Sequence, residues 1–181
     1  MLAAFQDAIA AQTPIIGLEP SCLLSLRDEF YSLGLGPEVG GLGKQLYLLE
    51  EFLARERQNK GLRLDLAPLN APRALVHGHC HQKAFGAMKA MRKVLGWIPG
   101  FSYEVVETSC CGMAGSFGLE AEHYEASMRM AELALLPAAR AAATDAPLIA
   151  NGFSCRHQIA HGAGRRARHI ALLLRDALPA D

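Results

Sequence analysis

The chain has no excess of either charge, because Lys plus Arg, 18, balances Asp plus Glu, 18. No long-range field therefore gathers nucleic acid or an anionic membrane against it. It also lacks any run of about 18 apolar residues, which a bilayer-crossing helix needs. A leader with a basic start, an apolar middle and a small-residue cleavage site is missing too. A cytoplasmic location is the expectation, with peripheral attachment at the inner face of the membrane as its variant. Cysteine is scarce and odd in number, five in 181 residues. That count fits reduced thiols better than a disulfide framework. The compact cysteine spacings of zinc ribbons and bacterial ferredoxins are absent, as are the Lys-Ser/Thr of a P-loop and the GxGxxG order of a dinucleotide site.

About half of the residues are hydrophobic, enough for one ordinary domain or two small lobes to bury a core. Residues 2–11 are alanine-rich at helical spacing, and Ile15-Ile16-Gly17-Leu18 reads as a short strand. Glu19-Pro20-Ser21-Cys22 forms a turn, 23–33 and 44–57 read as helices, and 60–72 as a connector. A strand over 73–77 leads into His77-Gly78-His79-Cys80-His81, followed by a helix to Gly96. Tyr103–Thr108 reads as a strand, 119–144 as helix with a break at Pro137, Pro147–Asn151 as a strand and 165–178 as a last helix. The basic segment Arg165-Arg166-Ala167-Arg168 reads as a solvated helix face. Strands alternating with helices predict a layered α/β fold with a mainly parallel sheet flanked by helices. Ligands of such sheets collect at the carboxyl ends of strands.

Two segments repeat. Pro14–Cys22 and Pro147–Cys155 share Pro, Ile, Ser and Cys at equivalent positions, and Gly43–Leu53 resembles Gly164–Leu174. The spacing predicts two pseudo-repeats with the first truncated: 1–58 the second half of the first, 59–72 a connector, and 73–181 a complete second. The chain would then be the tail of a longer polypeptide. Chance likeness between two helix–strand–turn units is the alternative.

The stretch Ser109-Cys110-Cys111-Gly112-Met113-Ala114-Gly115-Ser116-Phe117-Gly118 carries the strongest site signal. Adjacent thiols close a strained ring that removes little loop entropy, so a structural disulfide is a poor use for them. Gly112, Gly115 and Gly118 suit a loop whose backbone must approach something closely. Cys80, Cys110, Cys111 and Cys155 all lie at or near strand ends, and four thiolates suit an iron–sulfur cluster or zinc. Cys22, His81 and His157 are candidate extra ligands or proton partners. The plainer alternative is cysteines buried as small hydrophobes.

HGHCHQKAF (77–85), SCCGMAGSFG (109–118) and NGFSCRHQI (151–159) closely resemble the cysteine-rich CCG domain at the carboxyl end of bacterial FAD-linked oxidases of the D-2-hydroxyacid dehydrogenase type. That family is related to the iron–sulfur component of glycolate oxidase and to the cysteine-rich component of heterodisulfide reductase. The resemblance implies a parent enzyme in which a flavin domain oxidises a D-2-hydroxyacid such as D-lactate, glycolate or 2-hydroxyglutarate. Electrons would pass through ferredoxin-like domains of the same polypeptide to this domain and on to an acceptor such as a quinone. FAD belongs to the parent, not to this segment, which is not expected to be active alone. The implied cofactor is an iron–sulfur cluster, 4Fe-4S in type. The family pattern ends in Cys-x-x-Cys, whereas here it reads Cys155-Arg156-His157-Gln158. The missing thiol leaves a conventional cluster, a single zinc or iron with histidine help, and an empty site all open. Two other readings stand beside this one: a metal-free thiol-redox module cycling Cys110 and Cys111, and a structural zinc module that docks partner domains.

Overall fold

A computed structural model describes residues 2–59, 61–108 and 110–179. Ser109, which opens the cysteine stretch, lies outside the described residues, as do Met1, Lys60, Ala180 and Asp181, which fall in the expected repeats and connector. The chain divides into two compact units, Met1–Leu62 and Arg63–Asp181.

The first unit runs α1 (Leu2–Ala10), β1 (Ile15–Gly17), α2 (Pro20–Arg27), a 3₁₀ turn over 29–33, α3 (Glu38–Gly43), β2 (Leu46–Leu48) and α4 (Leu49–Asn59). β1 and β2 pair in parallel, with Ile15 opposite Leu46 and Ile16 opposite Tyr47. Leu23, Leu24, Val39, Leu42, Leu46 and Leu48 form its interior. Glu19 caps α2, its carboxylate accepting from the Ser21 hydroxyl at 2.8 Å, and Pro20 supplies a first helical residue with no N–H to satisfy. Arg27 clasps Glu51 through two hydrogen bonds of 3.1 and 2.6 Å and donates to the Leu46 carbonyl at 2.7 Å. The expected helix from Lys44 is instead a strand up to Leu48. Leu46 and Leu48 alternate into the core beside β1, and pairing there outweighs their helical spacing with Leu49 and Leu53.

The second unit runs β3 (Ala74–His77), α5 (Cys80–Ala84), α6 (Met88–Leu95), β4 (Tyr103–Val105), 3₁₀ turns over 117–119 and 121–123, α7 (Tyr124–Glu132), α8 (Leu135–Ala141), β5 (Leu148–Ala150), α9 (Phe153–Ala163), β6 (Ala167–Arg168) and α10 (Ile170–Asp176). Its four strands are parallel in the order β4-β3-β5-β6. The fold class is therefore α/β with helices flanking parallel sheets. The chain winds outward from β3 to β4 on one side and from β5 to β6 on the other, so the order reverses between the central pair. Such a reversal leaves a crevice at the carboxyl ends of the two strands.

Several helical expectations shift here. The stretch 119–144 starts in 3₁₀ turns and breaks at 133–134, with Pro137 inside α8 rather than at the break, and the helix expected up to Gly96 is interrupted between α5 and α6. The turn expected at Gly152–Cys155 is already the first turn of α9, and the expected helix from Arg165 begins as β6, with α10 starting only at Ile170. Gly164, in the left-handed region at φ 63°, ends α9 and turns the chain into β6. The core gathers Val76, Leu135, Leu136, Ala139, Ile149, Ile159 and Ile170, with Met91, Val94 and Leu95 contributed by α6.

Candidate metal centre

Three strand ends deliver the thiols. β3 ends at His77, and Cys80 opens α5 after a short turn. β5 ends at Ala150, and Cys155 is the third residue of α9. The loop after β4 carries Cys110 and Cys111. His77 sits opposite Ala150 in the register, so Cys80 and Cys155 leave neighbouring strands at the reversal point. Helix N-termini favour thiolate over thiol, since their free N–H groups point at the sulfur.

The four thiols lie within interaction range in series, Cys80 with Cys110, Cys110 with Cys111 and Cys111 with Cys155. Cys111 and Cys155 are buried, whereas Cys80 and Cys110 are part-exposed. Their thiol pKa values are pushed in alternating directions. Cys110 is held far below the usual thiol range by Cys111 first and Cys80 next, with backbone N–H groups of Gly112 and Ala114 adding to the effect. The Gly112 N–H donates to Cys110 Sγ at 3.3 Å. Cys155 is pushed down to about 5, chiefly by Cys111, with His77 assisting against the cost of burial. Cys111, flanked by Cys110 and Cys155, is pushed far up, as is Cys80 by Cys110 and burial. Thus Cys110 and Cys155 are pushed toward thiolate, and Cys80 and Cys111 toward thiol.

Histidines divide between this site and the surface. His77, 2% exposed, lies against Cys155, and neither of its ring nitrogens makes a well-formed hydrogen bond. His79 caps α5: its Nδ1 accepts from the His81 N–H at 3.2 Å, and its own N–H donates to Gln82 Oε1 at 3.1 Å. The same Nδ1 lies 3.8 Å from Cys80 Sγ. His81 packs edge-on to His79 and Phe85. His157 sits on the exposed side of α9, stacked between Phe153 and His161. It does not join the thiols. Cys22 belongs to the first unit and is exposed.

The three glycines do different things. A Cβ on Gly112, at φ 89°, would lie 2.2 Å from the Ser127 carbonyl oxygen, and one on Gly118 would lie 2.5 Å from Met113 Sδ. Gly115 is also left-handed, at φ 60°, but meets nothing within 4 Å. Ser127 is buried and accepts from Gln158 Nε2 at 3.1 Å, so α9 anchors the ledge on which the cysteine loop rests. Gly152 is the closest approach of backbone to the site: a Cβ there would lie 2.4 Å from His79 Cδ2 and 3.1 Å from Cys155 Sγ. Ser127 stands out as a site residue only in the folded chain. In the sequence, His77 lies in the His-Gly-His-Cys-His stretch, and Gly152 and Gln158 in the segment around Cys155, but nothing local marks His77 as the buried neighbour of Cys155.

Among the described residues no three Cys, His, Asp or Glu side chains surround a common point as metal ligands. The donor set nevertheless suits a thiophilic metal, being four thiols that neighbour one another in series beside a buried imidazole. Metal binding at such thiols would release the protons that remain on them. Cys111 and Cys155 also pack with Met113, Leu135, Ala139, Leu148 and Ile159, so the inner edge of the site is continuous with the hydrophobic core.

The chain is similar to D-2-hydroxyglutarate dehydrogenase of Escherichia coli, with 32% identity over 157 residues, covering 86% of this chain and 15% of that enzyme. It is 28% identical over 165 residues to one subunit of the anaerobic glycerol-3-phosphate dehydrogenase of Escherichia coli, covering 91% of this chain and 40% of that subunit. D-2-hydroxyglutarate dehydrogenase of Pseudomonas putida is 29% identical over 162 residues, 14% of its length. The chain thus spans well under half of each of these relatives. No family model matches the chain, and no solved structure matches it.

Proposed function

We propose that this chain is an electron-transfer segment of a flavin-linked oxidoreductase acting on a D-2-hydroxyacid, with an iron–sulfur cluster held by Cys80, Cys110, Cys111 and Cys155. The observation that carries the reading is that thiols from three distant parts of the sequence, Cys80, Cys110-Cys111 and Cys155, meet beyond the carboxyl ends of parallel strands. Similarity to two differently named dehydrogenases supports a part common to both rather than a site for either substrate. In the family the segment resembles, the flavin and ferredoxin-like domains lie elsewhere in the polypeptide, and the electrons go on to an acceptor such as a quinone.

A bound cluster would supply one-electron chemistry. The chain's own residues prepare for it. Cys110 and Cys155 already favour the ligating thiolate form, while the backbone N–H groups of Gly112 and Ala114 lower the charge cost at Cys110. His77 and His79 bias Cys155 in the same direction. Burial of Cys111 and Cys155 against apolar side chains keeps water from one side of the site. Anaerobic purification followed by iron, sulfide and zinc analysis and electron paramagnetic resonance tests the proposal. Iron and sulfide in equal amounts, lost in the Cys110→Ser/Cys111→Ser variant, are expected. A metal-free protein whose parent enzyme turns over normally with that double substitution would sink it. Zinc without sulfide would point to the structural zinc module.

The direct thiol contacts favour one second reading. A thiolate at Cys110 touching protonated Cys80 and Cys111 is arranged for thiol–disulfide exchange. Oxidation would join Cys110 and Cys111 in a disulfide, release the one proton carried by Cys111 and pass two electrons to a disulfide or quinone acceptor, which takes up that proton and any other it needs from water. Thiol titration separates the two readings, since mild oxidation would then remove two thiols and release no metal.

A further inference from the structure

Positive charge is concentrated at one end of a chain that is neutral overall. Residues 151–179 hold five arginines, Arg156, Arg165, Arg166, Arg168 and Arg175, against a single acid, Asp176. Two of these side chains have structural work. Arg165 donates to the carbonyls of Ala139, Ala142, Ala143 and Ala146 at 2.9–3.2 Å, closing the end of α8. Arg175 pairs with Asp176 at 2.8 Å. The other three line one cavity of about 400 Å³ with His169, over a floor of Ala167 and Leu172.

The cavity sits at the carboxyl ends of β5 and β6, where ligands of parallel sheets collect. Arg156 is fixed by donating through Nη1 to the Ala150 carbonyl at 3.1 Å and to that of Asn151. Among the described residues its other guanidinium nitrogens form no hydrogen bond. Arg168 is held by Asp176 at 2.5 Å. Arg166 is exposed and has no ion-pair partner among the described residues. Asp176, which also pairs with Arg175, is bonded to Arg168 alone of the three, so the cavity keeps an excess of positive charge that a bound anion would offset. Guanidinium forks match carboxylate and phosphate geometry in bidentate fashion.

We propose that this cavity binds a small molecule through a carboxylate or phosphate group, held by Arg156, Arg166 and Arg168. The three arginines contribute no thiol, so the proposal does not require a metal at the cysteines.

Calorimetric titration of the whole chain with inorganic phosphate, and separately with succinate, tests it, with sodium chloride of equal ionic strength as the reference. Saturable binding of phosphate alone, of succinate alone or of both supports the site and identifies the group it takes. Arg166→Ala and Arg168→Ala should each weaken binding at least tenfold, while Arg129→Ala, on exposed α7, should leave it unchanged. Arg166→Ala removes no hydrogen bond or ion pair among the described residues, so the test survives if Arg168→Ala disturbs α10. Responses no larger than those to sodium chloride, or variants that bind as tightly as the natural chain, would overturn the proposal.

Discussion

The two units contain the same strand–helix–strand–helix arrangement with the same register, yet they do different things with it. In the first unit Ile15 faces Leu46 and Ile16 faces Tyr47; in the second Leu148 faces Ala167 and Ile149 faces Arg168. Moving each pair along the two repeated sequence segments superimposes one register on the other. Cys22 and Cys155 are likewise both the third residue of the helix that follows the first strand. Their surroundings differ completely. Cys155 is 1% exposed and touches Cys111 and His77, whereas Cys22 is exposed. Ile16 is 42% exposed and its counterpart Ile149 only 1%. What separates them is β3, β4 and the cysteine loop, which make β5 a central strand. A local motif places a thiol at a helix start, but its neighbours decide whether it becomes part of a centre.

The comparison breaks hardest at the two equivalent cysteines. Cys155→Ser should remove most of the iron from anaerobically purified protein, and Cys22→Ser should leave the iron-to-protein ratio unchanged. Equal losses would erase the distinction between the two positions. The next largest effect lies in the glycines. Gly112→Ala combines a left-handed residue with a backbone clash at 2.2 Å and should cost ~3 kcal/mol in urea unfolding. Gly34→Ala in the first unit, at φ 64° with open space around it, should cost ~1 kcal/mol.

A smaller effect concerns acid. In metal-free protein Cys155 titrates near 5 rather than at the ordinary thiol value, so its contribution is present in full above the unfolded thiol's pKa. That contribution declines as pH falls from about 9 toward 5. The unfolding free energy of the natural chain relative to Cys155→Ala should therefore be larger at pH 9 than at pH 5. A gap that does not change with pH would show that the thiol network does not form. Smallest of all is His157→Ala, which should change neither bound metal nor unfolding midpoint appreciably, since the ring stacks on the exposed side of α9.

Much of the fold was legible because its signals are local. Short apolar runs ending in Gly, Pro or Cys marked β1, β3 and β5, and the repeated Pro-to-Cys spacing marked the two similar units. β2 and β6 were not legible. At three and two residues they lie inside segments whose leucines and arginines also suit a helix, and only pairing with β1 and β5 makes them strands. The arginines of β6 illustrate the consequence: read as a solvated helix face, they line a cavity once the backbone is extended.

The sequence by itself determined which side chains are available for chemistry: adjacent thiols, a glycine-rich loop, and cysteines placed just after strands. Those are properties of residue type and spacing. Tertiary structure decided which of them meet. The strand order β4-β3-β5-β6 reverses at the central pair, and that reversal carries Cys80, Cys110, Cys111 and Cys155 to one place while turning His157 outward. Contacts between residues dozens of positions apart depend on which strand lies beside which, and no local periodicity encodes that order.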